Sequence, residues 1–454
     1  MAIPRSAVLS NLDLSDKIKS MSKEKLQAPR GTKDILPDEE KYWFYVFDIV
    51  REKMGSFGAK RIEPPIFEFS EIYDRSLGKS SDIVNKEMFE VKRKSDQDIF
   101  QEIDNTTMVL RPEYTAGIAR AFVQNGMETL PQPVKLWYWG PAFRYERPQA
   151  GRFRIHNQWG LEIIGDEDPM TDIAGILLAW QIFQKIKITS DLTLDINSLG
   201  CPKCRPKMRR KLSEYFQDFL NNLCSDCNRR FIENPLRIYD CKETKCQKII
   251  AQAPQVIDFL CPECQNHFKQ VLEGLEKLEI AYNFNPRLVR GLDYYTKTVF
   301  EIYDKKDPSR QRTLLGGGRY DELIKLYGGP QTPAFGWAAG VERTIEIIKE
   351  KEIDIPELRM TDICLLQIGD KARRVSLALL SQLDAQGFRA TAIIGKQSLK
   401  SQMRSASKMG AKISLILGQR EVLDKSVIYK DMDTGTQETI LQTKLMDVLK
   451  KRLK

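Results

Sequence analysis

The sequence predicts an α+β chain with a cysteine-rich insertion and a separate small α/β domain at its C-terminal end. Three observations predict it. Helical and period-two stretches alternate through residues 28–190 and resume at 281–350. Eight of the nine cysteines crowd between Cys201 and Cys264. Beyond the linker-like "EIDIPELRM", short β-rich runs alternate with amphipathic helices. These shifts divide the chain into an extension 1–26, a core segment 27–199, the insertion 200–275, a second core segment 276–350, a linker 351–360 and a C-terminal domain 361–454.

The elements follow in order. "EKYWFYVFDIVREKMGSFG" is an amphipathic helix ending at glycine. "KRIEPPIFEFSEIY" reads as extended chain broken by prolines, and "TMVLRPEYTAGIARAFVQNG" as a short strand and then a helix. "PVKLWYWGPAFRYERPQAGRFRIHNQWGLEIIG" reads as two long strands joined around "RPQAG". In the second of these, Phe153, Ile155, Trp159, Leu161 and Ile163 alternate with Arg152, Arg154, His156, Gln158 and Glu162. Period two places the two sets on opposite faces. The polar set suits a lined binding floor, with a sheet face in water as the alternative. Later, "RGLDYYTKTVFE" begins as a bend and ends as a strand, and "AAGVERTIEIIKEK" reads as a helix. In the last domain "DICLLQIG", "FRATAIIG" and "KISLILG" alternate with helices carrying Val375, Leu379, Leu380 and Leu383, then Leu441, Leu445, Val448 and Leu449. That order suggests a mostly parallel sheet. Cys364 is core.

Composition narrows the function. The formal charge of +9, from 71 basic and 62 acidic residues, is compatible with a polyanionic partner and equally with a plain solvated surface. No apolar run approaches the ~20 residues needed to span a bilayer. The N-terminal stretch lacks a secretory h-region, which points to a cytoplasmic, reducing compartment and no membrane. With only His156 and His267 present, chemistry resting on a histidine base has two candidates.

The cysteines carry a stronger signal. Cys201, Cys204, Cys224 and Cys227 fit a C-x2-C…C-x2-C zinc spacing, and Cys241, Cys246, Cys261 and Cys264 make a second set of four. In a reducing compartment this favours structural Zn2+ over disulfides, as two sites, with His267 able to replace a cysteine. Which pairs share a metal stays open. Lys203, Arg205, Lys207, Arg209, Arg210 and Lys211 beside the first pair suit phosphate contacts or a solvated helix start equally. "LGGGRYDEL" matches neither a P-loop nor a dinucleotide fingerprint; its glycines permit close backbone approach, with room for a substrate. "SMSKE" at 20–24 is similar to the lysine loop of class I synthetases but stands alone, a coincidence.

With "LRPEYTA", "FRYERPQAGR", "RGLDYYTKTVFE", "GGGRYDEL" and "AFGWAAGVER" in this order, the chain resembles the histidyl-tRNA synthetases of class II. The resemblance runs from "QAPRGTKDILP" at 27–37 to the end, and "NSLGCPKCRPK", "NPLRIYDCK" and "LCPECQNHF" resemble a cysteine-rich form of that family's insertion. It implies an antiparallel-sheet catalytic core, an insertion near the tRNA acceptor arm, a C-terminal anticodon-binding domain, and a homodimer with Pro65 of motif 1 at its interface. The implied reaction joins L-histidine to ATP, with Mg2+ on the outer phosphates, and passes the histidyl group to tRNA(His). By the same resemblance Arg144 and Arg290 are catalytic at the α-phosphate, and Arg144 also holds the histidine carboxylate. Glu146, His156 and Arg343 hold the rest of ATP; Glu113, Thr115 and Gln158 hold the ammonium; Glu162 and Tyr295 pair with the imidazole; Tyr294 and Tyr320 form walls; Gln149 contacts tRNA.

Two positions depart from the family pattern. Tyr114 stands where glycine is usual and must point away from the pocket or reshape its edge, and His156 replaces the phenylalanine expected under adenine. The resemblance leaves as an alternative within the superfamily a non-catalytic synthetase-like regulatory subunit of histidine biosynthesis; another class II synthetase should not carry "RGLDYYT". A zinc-based nucleic-acid-binding protein is the alternative from another class. It leaves the polar strand face and the Arg290–Tyr295 stretch unexplained.

Overall fold

A computed structural model of the chain describes residues 26–78, 81–92, 107–146, 153–306, 313–356, 361–395 and 398–453. The chain forms two compact units, Met1–Ile355 and Pro356–Lys454. Strands of the first unit are β1 (Lys60–Arg61), β2 (Phe67–Phe69), β3 (Phe89–Glu90), β4 (Met108–Leu110), β5 (Val134–Phe143), β6 (Ile155–Ile164), β7 (Leu192–Ser198), β8 (Tyr282–Phe284), β9 (Thr296–Asp304), β10 (Thr313–Arg319) and β11 (Ala334–Gly340). One sheet has the order β1-β5-β6-β11-β10-β9-β7-β8, and a small second sheet the order β2-β4-β3. The middle of the large sheet is antiparallel throughout; only its edge strands β1 and β8 pair parallel.

One face of that sheet is sealed by two helices. Pro37–Ser56 starts on a proline at its first turn, with Asp38, Glu39 and Glu40 favourably placed at the positive end of the helix dipole. Pro169–Ile186 is capped by Asp168, which accepts from the Met170 N–H at 2.8 Å. Between helices and sheet lie Val46, Val50, Met54, Trp159, Leu161, Ile163, Ile176 and Phe183, all buried. Burying each large side chain is worth about 1.5–3 kcal/mol. This face holds the sheet together and leaves the other face free to line a site.

Two local expectations change. "SEIY" begins the helix Ser70–Leu77 instead of extending the chain, and "AAG" at 338–340 ends β11 instead of starting a helix. β11 is paired on both sides, with β6 and β10, and those ladder bonds override the helix propensity of alanine.

The insertion is helical: Arg205–Gln217, Ser225–Glu233, Thr244–Ile250 and Pro262–Lys277, joined by short 3-10 turns. Its Met208, Leu212, Phe216, Ile238 and Val256 share a buried cluster with Leu288, Val289, Tyr294 and Tyr295. In the second unit β12 (Ile363–Gln367), β13 (Ala390–Ala392), β14 (Ile413–Leu417), β15 (Ser426–Asp431) and β16 (Gln437–Leu441) take the order β13-β12-β14-β15-β16. Only the first two pairings are parallel; β15 and β16 form an antiparallel hairpin, so the sheet is mixed. Asp431 turns it by accepting from the N–H groups of Asp433 and Thr434 at 3.0 and 2.7 Å. Leu441 closes β16 and is half exposed, leaving Leu445 and Leu449 as the buried face of the last helix.

Candidate active site

The free face of the large sheet is a trough built by glycine. Across it, Tyr138, Gly160, Ala338, Gly316 and Glu301 stand in one cross-strand row, and Leu136, Glu162, Gly336, Gly318 and Val299 in the next. A side chain at Gly160 would collide with the Tyr138 ring, one at Gly336 with the Glu162 carboxylate, and one at Gly316 with the Arg290 guanidinium. Long polar side chains from the margins thus lie down over a floor without side chains. The "GGG" of β10 makes room for an arginine of the same chain.

Glu162 is fully buried at the centre. One carboxylate oxygen accepts from the Thr115 hydroxyl at 2.7 Å and the other from the Tyr320 phenol. Burial pushes its carboxyl up to about 8, against the two hydrogen bonds and with the help of the Glu113 charge. Tyr294 stands 4.6 Å from Tyr295 and 5.6 Å from Tyr320 between ring centroids. Burial raises all three phenols above their ordinary value, so they stay protonated donors. Glu113 caps the helix Thr115–Gln124, accepting from the N–H groups of Thr115 and Ala116 at 2.7 and 2.8 Å. The Gln158 Oε1 is buried without a hydrogen-bond partner among the described residues, as is the Tyr138 hydroxyl. Such atoms are expensive unless something binds them.

The arginines stand at one end of the trough. Arg290 pairs with Glu301, and its guanidinium sits 5.8 Å from the Tyr295 ring centroid. Burial works against its charge, but Glu301 and the two tyrosines more than offset this and hold its pKa above the usual value. Arg144 donates to the Pro112 carbonyl at 2.9 Å and lies 3.9 Å from Glu146. Arg343 donates to the Thr313 carbonyl. Glu342 beside it is pinned by Asn157, whose backbone and side-chain N–H groups both donate to it at 2.9 Å. Burial, with Arg144 and Arg343 adding, pushes His156 down to about 3 and leaves a neutral ring at neutral pH. Glu113, Thr115, Gln158, Glu162, Tyr294, Tyr295 and Tyr320 converge on the same face. Gln149 lies outside the described residues.

Tyr114 turns into the fold. It stacks on Tyr138 at 4.2 Å, lies beneath the Arg111 guanidinium at 3.9 Å, and takes the space left by Gly140. The pocket edge is thereby backed by a second aromatic layer.

The cysteines pair otherwise than their order along the chain. Cys201, Cys204, Cys261 and Cys264 form one group and Cys224, Cys227, Cys241 and Cys246 the other, with ligand atoms within 4.8 Å of one another. The closest sulfurs are 3.8–3.9 Å apart. A tetrahedron with metal–sulfur bonds of about 2.3 Å has edges of about 3.8 Å, so each group can hold a metal ion. His267 is not a ligand: it points at Asp172, Nε2 to Oδ2 3.6 Å, inside the core. The basic stretch is partly used internally, since Arg205 donates to the Tyr295 carbonyl and Arg209 to that of Glu233.

Sequence reasoning missed Glu301 as the partner of Arg290, Tyr138, and the trough glycines Gly160 and Gly336. A signal for Glu301 existed, an acid inside the apolar run "TVFEIY". The glycines gave none without the strand register.

The profile of the Histidyl-tRNA synthetase family matches residues 31–203 and 244–344, and that of the Anticodon binding domain matches 362–452. The histidine--tRNA ligase of Acetivibrio thermocellus is 42% identical, over 94% of this chain and 99% of its own. That of Desulforamulus reducens is 42% identical, over 93% and 99%. The chain belongs to the histidyl-tRNA synthetase family. The crystal structure of apo histidyl-tRNA synthetase from S. aureus superposes with a TM-score of 0.76 at 33% identity, covering 93% of this chain and 99% of that one. The antiparallel core and the C-terminal anticodon-binding domain are thus the fold of histidyl-tRNA synthetases. Relatives named as ligases, matched nearly end to end, set the regulatory-subunit alternative aside. A structure from Bacillus halodurans described as an ATP phosphoribosyltransferase regulatory subunit/histidyl-tRNA synthetase, 21% identical with a TM-score of 0.59, shares the fold alone.

Proposed function

We propose that this chain activates L-histidine with ATP to histidyl-adenylate and transfers the histidyl group to the 3′ end of tRNA(His). The observation that carries the reading is Glu162, buried under Tyr320 and Thr115 on the same strand face as the unpartnered Gln158 carbonyl. In the first step the histidine carboxylate attacks the α-phosphate and pyrophosphate leaves. In the second the terminal ribose hydroxyl of tRNA attacks the acyl carbon and AMP leaves. The attacking carboxylate needs no base, so the protein's task is positioning and charge stabilisation.

Gln158 Oε1 and the Thr115 hydroxyl accept from the substrate ammonium, with the Glu113 charge behind them. Glu162 accepts from one imidazole N–H and Tyr295 donates to the other ring nitrogen. A side chain of similar size without those nitrogens leaves the buried groups unpaired and is rejected strongly. Tyr294 and Tyr320 keep the ring in plane. Arg144 and Arg290 close on the α-phosphate from two sides, their forks matching its oxygens. Arg343 and the neutral His156 ring face the adenine, and Glu146 its edge. Mg2+ would be held on the outer phosphates of ATP and keep several of its waters.

Each cysteine group holds a structural Zn2+; four thiolates leave no open position, so the metal braces and does not react. A cytoplasmic homodimer fits the half-exposed Ile66, Phe67 and Phe69 that follow Pro65 onto the edge strand β2. No helix among the described residues is long and apolar enough to cross a membrane.

The decisive test is exchange of labelled pyrophosphate into ATP. We expect exchange with histidine and less than about one hundredth of that rate with other amino acids; exchange driven by a different amino acid overturns the reading. Metal analysis of the purified chain is expected to find two zinc ions, one for each cysteine group. Freely titratable thiols in a metal-free, fully folded chain would remove zinc from the account.

A further inference from the structure

The segment that carries Arg290 and the tyrosine pair belongs to no helix or strand: residues 285–295 run without regular hydrogen bonding from β8 to β9. Something else must fix its backbone. Two arginines of the insertion do so from opposite ends. Arg237, in the 3-10 turn Pro235–Asp240, donates to the Gly291 carbonyl, and its Nε lies 3.6 Å from Asp293 Oδ1. Asn234 donates to the same Oδ1 at 3.2 Å. Arg205 donates to the Tyr295 carbonyl. On the far side, Asp293 is seated against Gly78, where φ is +79° and any side chain would strike its carboxylate.

Each arginine is rooted in a different cysteine group. Arg205 follows Cys204 directly and opens the helix Arg205–Gln217. The Cys201–Cys204 turn hangs from β7, tied to β9 by Leu199 N–H to the Lys297 carbonyl at 2.7 Å and Lys297 N–H to the Gly200 carbonyl at 2.9 Å. Gly200 has φ +65°, and a Cβ there would lie 2.7 Å from the Cys204 Cβ, so this turn admits glycine alone. Arg237 stands between Cys227 and Cys241 of the other group. The helix Ser225–Glu233 before it is anchored to the core by Arg229 and Arg230, which bond Asp82 at 3.0 and 3.1 Å. Both Arg205 and Arg237 fall between the two stretches matched by the family profile, 31–203 and 244–344.

We propose that Arg205 and Arg237 are positioning residues for the amino-acid site, each braced by one four-cysteine group, so that metal loading of the insertion sets how firmly the 290–295 segment is held. The consequence for substrate rests on the histidine reading above; the brace itself does not. A guanidinium on a part-buried carbonyl fixes a peptide plane, and displacing Tyr295 weakens the hold on the substrate ring.

Amide hydrogen exchange on the full-length chain tests the brace. In Arg205→Ala and Arg237→Ala, and in the wild type stripped of metal by a chelator under reducing conditions, exchange at 290–296 should quicken at least about tenfold while β5 and β6 stay protected. Arg237→Lys, which can still donate to the Gly291 carbonyl, should recover part of the protection. In pyrophosphate exchange both alanine variants should raise KM for histidine about tenfold and leave KM for ATP within about twofold. Unchanged protection at 290–296 in the alanine variants overturns the brace, whether or not the chain activates histidine. Unchanged protection in the stripped wild type overturns the metal link. An unchanged histidine KM over a loosened segment overturns the positioning role. A wild type without histidine-dependent exchange sinks the proposed function, while hydrogen exchange still decides the brace.

Discussion

Arg290→Ala is expected to lower histidine-dependent pyrophosphate exchange by about a thousandfold, with most of the loss in kcat. Removing one preorganised donor aimed at developing charge typically lowers the rate by about 10²–10³-fold, and Arg290 brings a full charge as well as a donor. It lies on Gly316, next to its partner Glu301, with its Nε buried and unpartnered among the described residues. Truncation also strands Glu301, whose side chain is only 15% exposed, so the single variant should unfold at a lower temperature. The double variant Arg290→Ala/Glu301→Gln separates the two effects: it should regain much of the lost thermal stability and none of the exchange. Arg290→Lys keeps the charge but loses the fork, and should remain at least about a hundredfold down. Exchange within about tenfold of wild type in Arg290→Ala would remove this residue from the chemistry.

The amount of this site readable in the chain depends on whether a feature is local. Alternation along 156–163 is local, and it separates a face that packs against two helices from a face that lines the trough; at the start of the strand it fails, with Ile155 exposed and Arg154 stacked on Tyr145. Residue type is local too, so "RGLDYYT" presents an arginine and two phenols whatever the fold. Register is not local. Gly160, Gly336 and Gly316 become a floor only because β6, β11 and β10 pair so that each lies beneath a long side chain from another strand or loop. The same holds for the cysteines: spacing reveals eight ligand-type residues, but Cys201 and Cys261 meet because the helix Pro262–Lys277 returns to the end of β7. His267 shows the converse error. Three residues beyond Cys264 it shares that helix face, but one turn further along, where it meets Asp172 and not the thiols. In the second unit, β15 and β16 went unread because a hairpin turn at Asp431–Gly435 was hidden in a polar stretch without the usual two-residue signature.

Glu162→Gln is the second large effect, and it has both a stability and an activity readout. The native carboxyl sits at about 8 against 4.5 for an unperturbed one, burial being the main cause. Between those values the folded chain keeps a proton that the unfolded chain has released. Its stabilising contribution is complete below 4.5, declines as pH rises, and is gone above about 8. The span corresponds to a loss on the order of 5 kcal/mol. Asp172, pushed up to about 7 by burial against the opposing charge of Arg319, tilts the curve the same way. Glutamine cannot titrate, so the stability of Glu162→Gln should fall less steeply between pH 5 and pH 9 in urea unfolding. At the acid end, where the native carboxyl is itself a neutral C=O and O–H, the two proteins should be of similar stability, since the amide offers one acceptor and one donor in its place. Its kcat/KM for histidine should drop about a hundredfold, as an amide cannot carry the charge that strengthens the hydrogen bond from the substrate imidazole. An unchanged pH slope would move the titration elsewhere, and unchanged kcat/KM would mean that the ring is read by another group. The two readouts reinforce one physical point: a carboxyl held this far from its preferred charge state destabilises the empty fold near neutral pH, and a substrate N–H that favours the ionised form relieves that burden on binding.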